Sequence, residues 1–118
     1  MSLQIKRAYD PVAARDGERI LVDRLWPRGL SKKAAAIDHW MRDVAPSTAL
    51  RRWFAHDPAK WSEFKRRYFA ELRAAGQPVQ ELAARARRHR ITLVYGAKDE
   101  WHNDAVALRE YLRRRYRV

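Results

Sequence analysis

The chain has no cysteine. That single absence excludes disulfides, thiolate metal ligands and thiol nucleophiles. Glycine is scarce, four in 118 residues, and the four form neither a G-x-G-x-x-G nor a Walker-type phosphate loop. There is no G-x-S-x-G nucleophile elbow. The four histidines, His39, His56, His89 and His102, show no His-x-x-x-His spacing, so no zinc site and no cofactor is expected. No apolar run approaches the ~18 residues of a membrane span. The opening Met-Ser-Leu-Gln-Ile-Lys-Arg lacks the apolar stretch of a secretory leader. The cytoplasm is the expected compartment, with no membrane partner.

Acidic residues are also in short supply. Asp and Glu number 14 against 26 Lys and Arg, a formal net charge of +12, and the pI is ≈ 10.9. Such an excess points to anionic partners: nucleic acid, nucleotides, phosphorylated metabolites or an acidic protein. Long basic side chains also cover apolar surface with their stems, so arginine content alone does not mark a site. Apolar residues make up 47%, enough for a core that buries roughly two-thirds of the unfolded surface. A length of 118 residues predicts one domain spanning the whole chain.

Residues 3–7 alternate apolar and polar, as a half-buried strand does. Asp10-Pro11 and Asp16-Gly17 mark a loop and a turn. Residues 20–25 read as a second strand, and residues 37–43 are ambiguous. Ser47 can cap a short helix carrying Leu50, Trp53 and Phe54. Asp57 can cap the next, with Pro58 at its first position. Trp61, Phe64, Tyr68 and Leu72 then recur at spacings of three and four, one aromatic helix face. Gly76 and Pro78 separate this helix from another that buries Val79, Leu82, Ala83 and Ala86. Ile91-Thr-Leu-Val-Tyr95 is an unbroken run suited to a central strand covered on both faces. A last helix carries Ala105, Leu108 and Leu112 inward. Strands alternating with helices predict an α/β fold, a three-layer sandwich with a small, mainly parallel central sheet flanked by helices. Ligands bind such sheets at the carboxyl ends of strands, so residues 23–29 and 96–103 should lie side by side there.

Four constellations could carry chemistry. Asp23, Arg24, Trp26 and Arg28 follow the second strand, where arginine can clamp an anion by two points and an indole can stack. Equally, Asp23 could pair with an arginine and Trp26 could plug the sheet end. Lys98, His102 and Asn103 follow the strand at residues 91–95. Lys98 adds charge and His102 can move a proton near neutral pH. Asn103 can orient a ligand or simply cap a helix. His56 stands beside Asp57, although Asp57 is explained as a cap. Tyr9, after the first strand, can reach the site rim or shape a turn. In this reading Asp23 or His102 transfers a proton, while Tyr9, Arg24, Trp26, Arg28, His56, Lys98 and Asn103 bind an anionic small molecule. The alternative is a basic nucleic-acid-binding or regulatory protein, whose arginines at 85–90 and 113–117 would track phosphates. Five tryptophans leave room for a homo-oligomer.

The segments Lys6-Arg-Ala-Tyr-Asp-Pro11, Asp23-Arg-Leu-Trp-Pro-Arg-Gly29, Leu50-Arg-Arg-Trp-Phe-Ala-His-Asp-Pro58 and Thr92-Leu-Val-Tyr-Gly-Ala-Lys-Asp99 together resemble the YeaO-like branch of the domain of unknown function 488 family. The resemblance covers nearly the whole chain. It implies a small bacterial or archaeal α/β protein and no established reaction. Other branches carry a Cys-His-Arg triplet after the strand matching residues 92–95. Here the region reads Trp101-His102-Asn103, so cysteine-dependent chemistry would not transfer.

Overall fold

The computed structural model describes residues 3–118; Met1 and Ser2, part of the segment read above for a leader, lie outside the described residues. Strands β1 (Leu3–Arg7), β2 (Glu18–Leu21), β3 (His39–Trp40) and β4 (Ile91–Tyr95) form one sheet in the order β1-β4-β2-β3. Every pairing is parallel, with Leu3 and Glu18 both opposite Ile91. The apolar run 91–95 is therefore central, and all five of its residues are buried. The ambiguous segment supplies the short edge strand β3.

Side-chain alternation gives the sheet two unlike faces. Ile20, Val22, Ile91, Leu93 and Tyr95 pack with Phe64, Tyr68, Leu82, Leu108 and Leu112 of the long helices. These helices are α3 (Trp61–Ala75), α4 (Gln77–Arg88) and α5 (Asp104–Tyr116). Ala8, Leu21 and Val94 face the other way, under Trp26, Leu30, Ile37 and Trp40. That second layer is thin, a loop and the four-residue helix α1 (Lys32–Ala35). Its interior is ionic. Arg19, 3% exposed, places Nη1 2.7 Å from Asp16 and donates through Nη2 to the Ala35 carbonyl. Lys6 reaches the same carboxylate at 3.0 Å. Burial opposes the charge on Asp16, but the Ala13 N–H, Lys6 and Arg19 outweigh it and hold the carboxyl below its usual range.

β2 starts earlier and ends earlier than the run 20–25 predicts. Val22 still donates to the Val94 carbonyl at 3.1 Å. Beyond it β4 has ended, so residues 23–25 lack a ladder partner and turn away. The helix expected from Pro58 begins instead as a 3-10 turn, Pro58–Lys60, capped by Asp57, before α3 starts at Trp61. Most of the α3 stripe is buried as its spacing predicts, with Phe64 and Leu72 2% exposed and Tyr68 fully enclosed, while Trp61 at its start is partly buried. Ser47 caps the short helix α2 (Thr48–Phe54) by accepting from Leu50 N–H at 3.1 Å. Glu71 of α3 grips the Ser47 N–H and hydroxyl at 2.8 and 2.6 Å. This clamp fixes where α2 points.

Candidate functional site

A cavity of about 350 Å³ opens at the carboxyl ends of β2 and β4. The two loops that follow these strands build it together, as the parallel topology requires. Asp23, Arg24, Trp26 and Arg28 come from the first loop, His102 and Asn103 from the second. Tyr9 reaches the rim from the end of β1, and His56 from the end of α2. Eight of the residues singled out in the sequence thus share one cavity. Lys98 does not line it; the side chain is exposed in the loop beyond.

Asp23 and Asp104 form the polar end of the cavity. Asp23 Oδ2 accepts from Gly96 N–H at 2.8 Å. A Cβ on residue 96 would lie 3.3 Å from that same oxygen, so glycine lets the backbone approach this closely. The two carboxyls are close enough to interact directly. Burial first, and then the Asp23 charge, pushes Asp104 well above the usual carboxylate range. Burial also raises Asp23, against the pull of its hydrogen bonds and of the charges on Arg51 and His56. Two neighbouring carboxyls cannot both ionise cheaply, which favours a proton shared between them. It offers a ligand both a donor and acceptors.

Around this pair the arginines differ sharply. Arg24 Nε donates to the Pro46 carbonyl at 3.1 Å, and its Nη2 lies 3.5 Å from the Ala45 carbonyl. Arg24 therefore braces the loop. Among the described residues, Arg51 Nε, by contrast, is buried with no hydrogen-bond partner, and its side chain lines the cavity. Arg28 is exposed at the mouth, its own carbonyl accepting from Tyr9 Oη at 2.7 Å. Trp26 donates from Nε1 to the Leu30 carbonyl and meets Trp40 edge-on at 5.4 Å. It is a wall of the cavity and a plug of the sheet end at once. Phe54 and Phe64 complete the apolar wall.

The histidines are held in different ways. His102 Nδ1 lies 2.9 Å from Asp99 Oδ2. A carboxylate can only accept, so Nδ1 carries the hydrogen and Nε2 is the nitrogen left for a ligand. Asp99 also accepts from the Trp101 and His102 N–H groups, and these bonds hold its carboxyl below the usual range. His56 follows Ala55 in left-handed backbone, φ 57° after φ 48°. Two successive non-glycine residues there store roughly 1–3 kcal/mol each, and the resulting turn brings the imidazole to the cavity. Asn103 caps α5, accepting from Val106 N–H at 3.0 Å and donating to the Asp99 carbonyl at 2.9 Å. Among the described residues no three histidine or acidic side chains converge as a metal site.

Sequence reasoning missed Arg51 and Asp104. Arg51 sits off the apolar stripe of a short helix, where an arginine is ordinarily solvated. Asp104 is the first residue of α5, where an acid is explained by the helix dipole. Neither position carries a local signal of burial.

The fold and cavity define a small parallel α/β protein with a half-enclosed polar site at its strand ends. The family model described as "Inactive DUF488-N3 subclade" matches residues 2–118. The chain is 43% identical to the uncharacterized protein YeaO of Escherichia coli, over 96% of this chain and 98% of that one. It is 34% identical to the uncharacterized protein Rv3073c of Mycobacterium tuberculosis, over 93% of this chain and 92% of that one. The chain therefore belongs to this family as a YeaO-like member. No solved structure matches it.

Proposed function

We propose that the chain is a binding protein for a phosphorylated or nucleotide-like small molecule, held in the cavity between residues 23–28 and 102–104. The observation that carries this reading is Arg51 Nε, a buried donor without a partner beside an open cavity. An unmet buried donor costs about 1–3 kcal/mol, which a ligand oxygen would recover. Arg28 at the mouth adds donors for the same anion, and Nε2 of His102 can accept from a ligand hydroxyl. Phe54, Phe64 and Trp26 present the apolar surface that a base or sugar edge needs. The Asp23–Asp104 pair, as donor and acceptor, reads polar ring atoms at the far end. A volume of about 350 Å³ falls in the range of small-molecule sites. Binding without turnover is favoured by the word "inactive" in the family's description. Arg24 and Asn103 serve this site by positioning its loops, and Lys98 lies outside it.

The test is thermal unfolding and calorimetry with the four ribonucleoside monophosphates, ribose 5-phosphate and inorganic phosphate. A ligand present at about 100 times its Kd stabilises by about 2.7 kcal/mol, roughly 10 °C for a domain of this size. Arg51→Ala should weaken that ligand at least tenfold, and Arg51→Lys should restore little, because the planar fork is lost. Failure of every phosphorylated probe to shift the midpoint, or unchanged binding by Arg51→Ala, would refute the reading.

A further inference from the structure

We infer that the pole opposite the cavity is a docking surface for the phosphate backbone of nucleic acid, bound without sequence preference. The sheet is parallel, so all strands begin at this pole. Arg90 precedes β4 and Arg15 lies just before β2. Helix α4 ends here with Arg87 and Arg88. Helix α5 starts at the cavity and runs 13 residues, about 20 Å, to end here with Arg113, Arg114, Arg115 and Arg117 just beyond. Two hydrogen bonds draw the groups together: Arg87 Nη2 donates to the Tyr116 carbonyl at 2.7 Å and Arg90 Nη1 to the Arg15 carbonyl at 3.4 Å.

All eight arginines are exposed. Among the described residues only Arg114 of the eight has an ion pair, with Glu110. Of the acids at this end, Asp16 is held by Lys6 and Arg19, Glu18 by Arg85 and His39, and the exposed Asp38 accepts from the Arg19 N–H at 2.8 Å. Elsewhere several cations are neutralised in place, Arg66 and Arg67 by Glu63 and Lys65 by Glu110. Capping of two helix dipoles explains a cation or two per helix end, not eight at one pole. Arginine forks suit phosphate oxygens. No helix motif for base reading is present, so contacts stop at the backbone.

The test is fluorescence anisotropy with 20-mer duplex DNA, single-stranded DNA and single-stranded RNA across a salt series. With about five phosphates engaged, the log–log salt slope on duplex is about −4.5, a loss of roughly 500-fold in affinity between 50 and 200 mM salt. The triple variant Arg88→Ala, Arg113→Ala, Arg117→Ala should flatten that slope by about 2 to 3. The same three positions changed to Lys should keep the slope, which separates lost charge from lost folding. A charge-matched triple, Lys32→Ala, Lys33→Ala, Arg52→Ala, should leave it unchanged. No binding at 50 mM salt overturns the inference. So do equal losses in the two alanine triples, or displacement by polyglutamate as effective as by nucleic acid. Nucleoside monophosphate binding in the cavity is measured separately, so either proposal can fail alone.

Discussion

The substitution Asp104→Asn should make the protein more stable at neutral pH, and the gain should fade as the pH falls. In the unfolded chain Asp104 and Asp23 titrate near 3.8. In the folded chain both are raised and the pair retains a proton. Above about pH 4 the native state thus binds more protons than the unfolded state. Stability then falls as pH rises, by about 1.4 kcal/mol per pH unit for each extra proton held. The loss continues until the folded pair finally ionises. The amide introduced by the substitution keeps the shape of the carboxyl and can still donate to Asp23, but it removes the second charge and most of this slope. Between pH 5 and 7 the variant should gain on the parent, by at most about 1.4 kcal/mol per pH unit while the folded pair keeps its proton. Urea unfolding of both proteins at pH 5, 6, 7 and 8 gives the difference directly, and contributions from groups common to both cancel. The m-values should agree, because the same surface is exposed. Parallel stability profiles across this range, or an advantage that grows toward low pH, would show that the two carboxyls do not share a proton. A stabilising change at this position would also fit the trade-off expected of a binding site.

The ion cluster on the other face predicts the opposite sign. The lowered Asp16 supplies stability that is present above about pH 3.8 and is lost as pH falls through its folded value. Asp16→Asn leaves Arg19 buried and unpaired and should cost about 3–5 kcal/mol near pH 7, measured by urea unfolding. Gly17→Ala should cost more than about 2 kcal/mol in the same assay, because φ is +66° and the new Cβ would sit 2.2 Å from the Arg90 carbonyl oxygen; an effect below 0.5 kcal/mol would contradict the packing. Ser47→Ala should cost about 1 kcal/mol as a lost cap. It should also weaken ligand binding, since Ser47 and Glu71 aim the helix bearing Arg51; calorimetry with unchanged affinity would remove the positioning role. Gly96→Ala should crowd Asp23 and lower affinity with only a small change in Tm.

Much of the fold could be read locally. Alternation at residues 3–7, the apolar run 91–95 and the three-and-four spacing from Trp61 to Leu72 each report a face that must be buried. The caps at Ser47, Asp57 and Asn103 work within three residues, so they too are visible in sequence. The prediction that loops 23–29 and 96–103 adjoin required only parallel strands, and it placed Asp23, Arg24, Trp26, Arg28, His102 and Asn103 around one cavity. What local patterns cannot report is the partner chosen across the fold. Arg24 and Arg51 look alike in sequence, yet Arg24 braces two carbonyls while Arg51 keeps an unmet donor. Asp23 and Asp104 are 81 positions apart, and only the pairing of β2 with β4 brings the start of α5 to the end of β2, where each carboxyl opposes the other's charge. The antiparallel course of β4 between α4 and α5 sets the arginines that end both helices at the far pole. Sequence by itself determined the long helices and the two longer strands, though not α1 or the edge strand β3, because propensity and periodicity act over a turn or a strand. Tertiary structure alone decided which charges are paired, which are left open and which face each other, because those energies depend on distance and burial between residues remote in the chain.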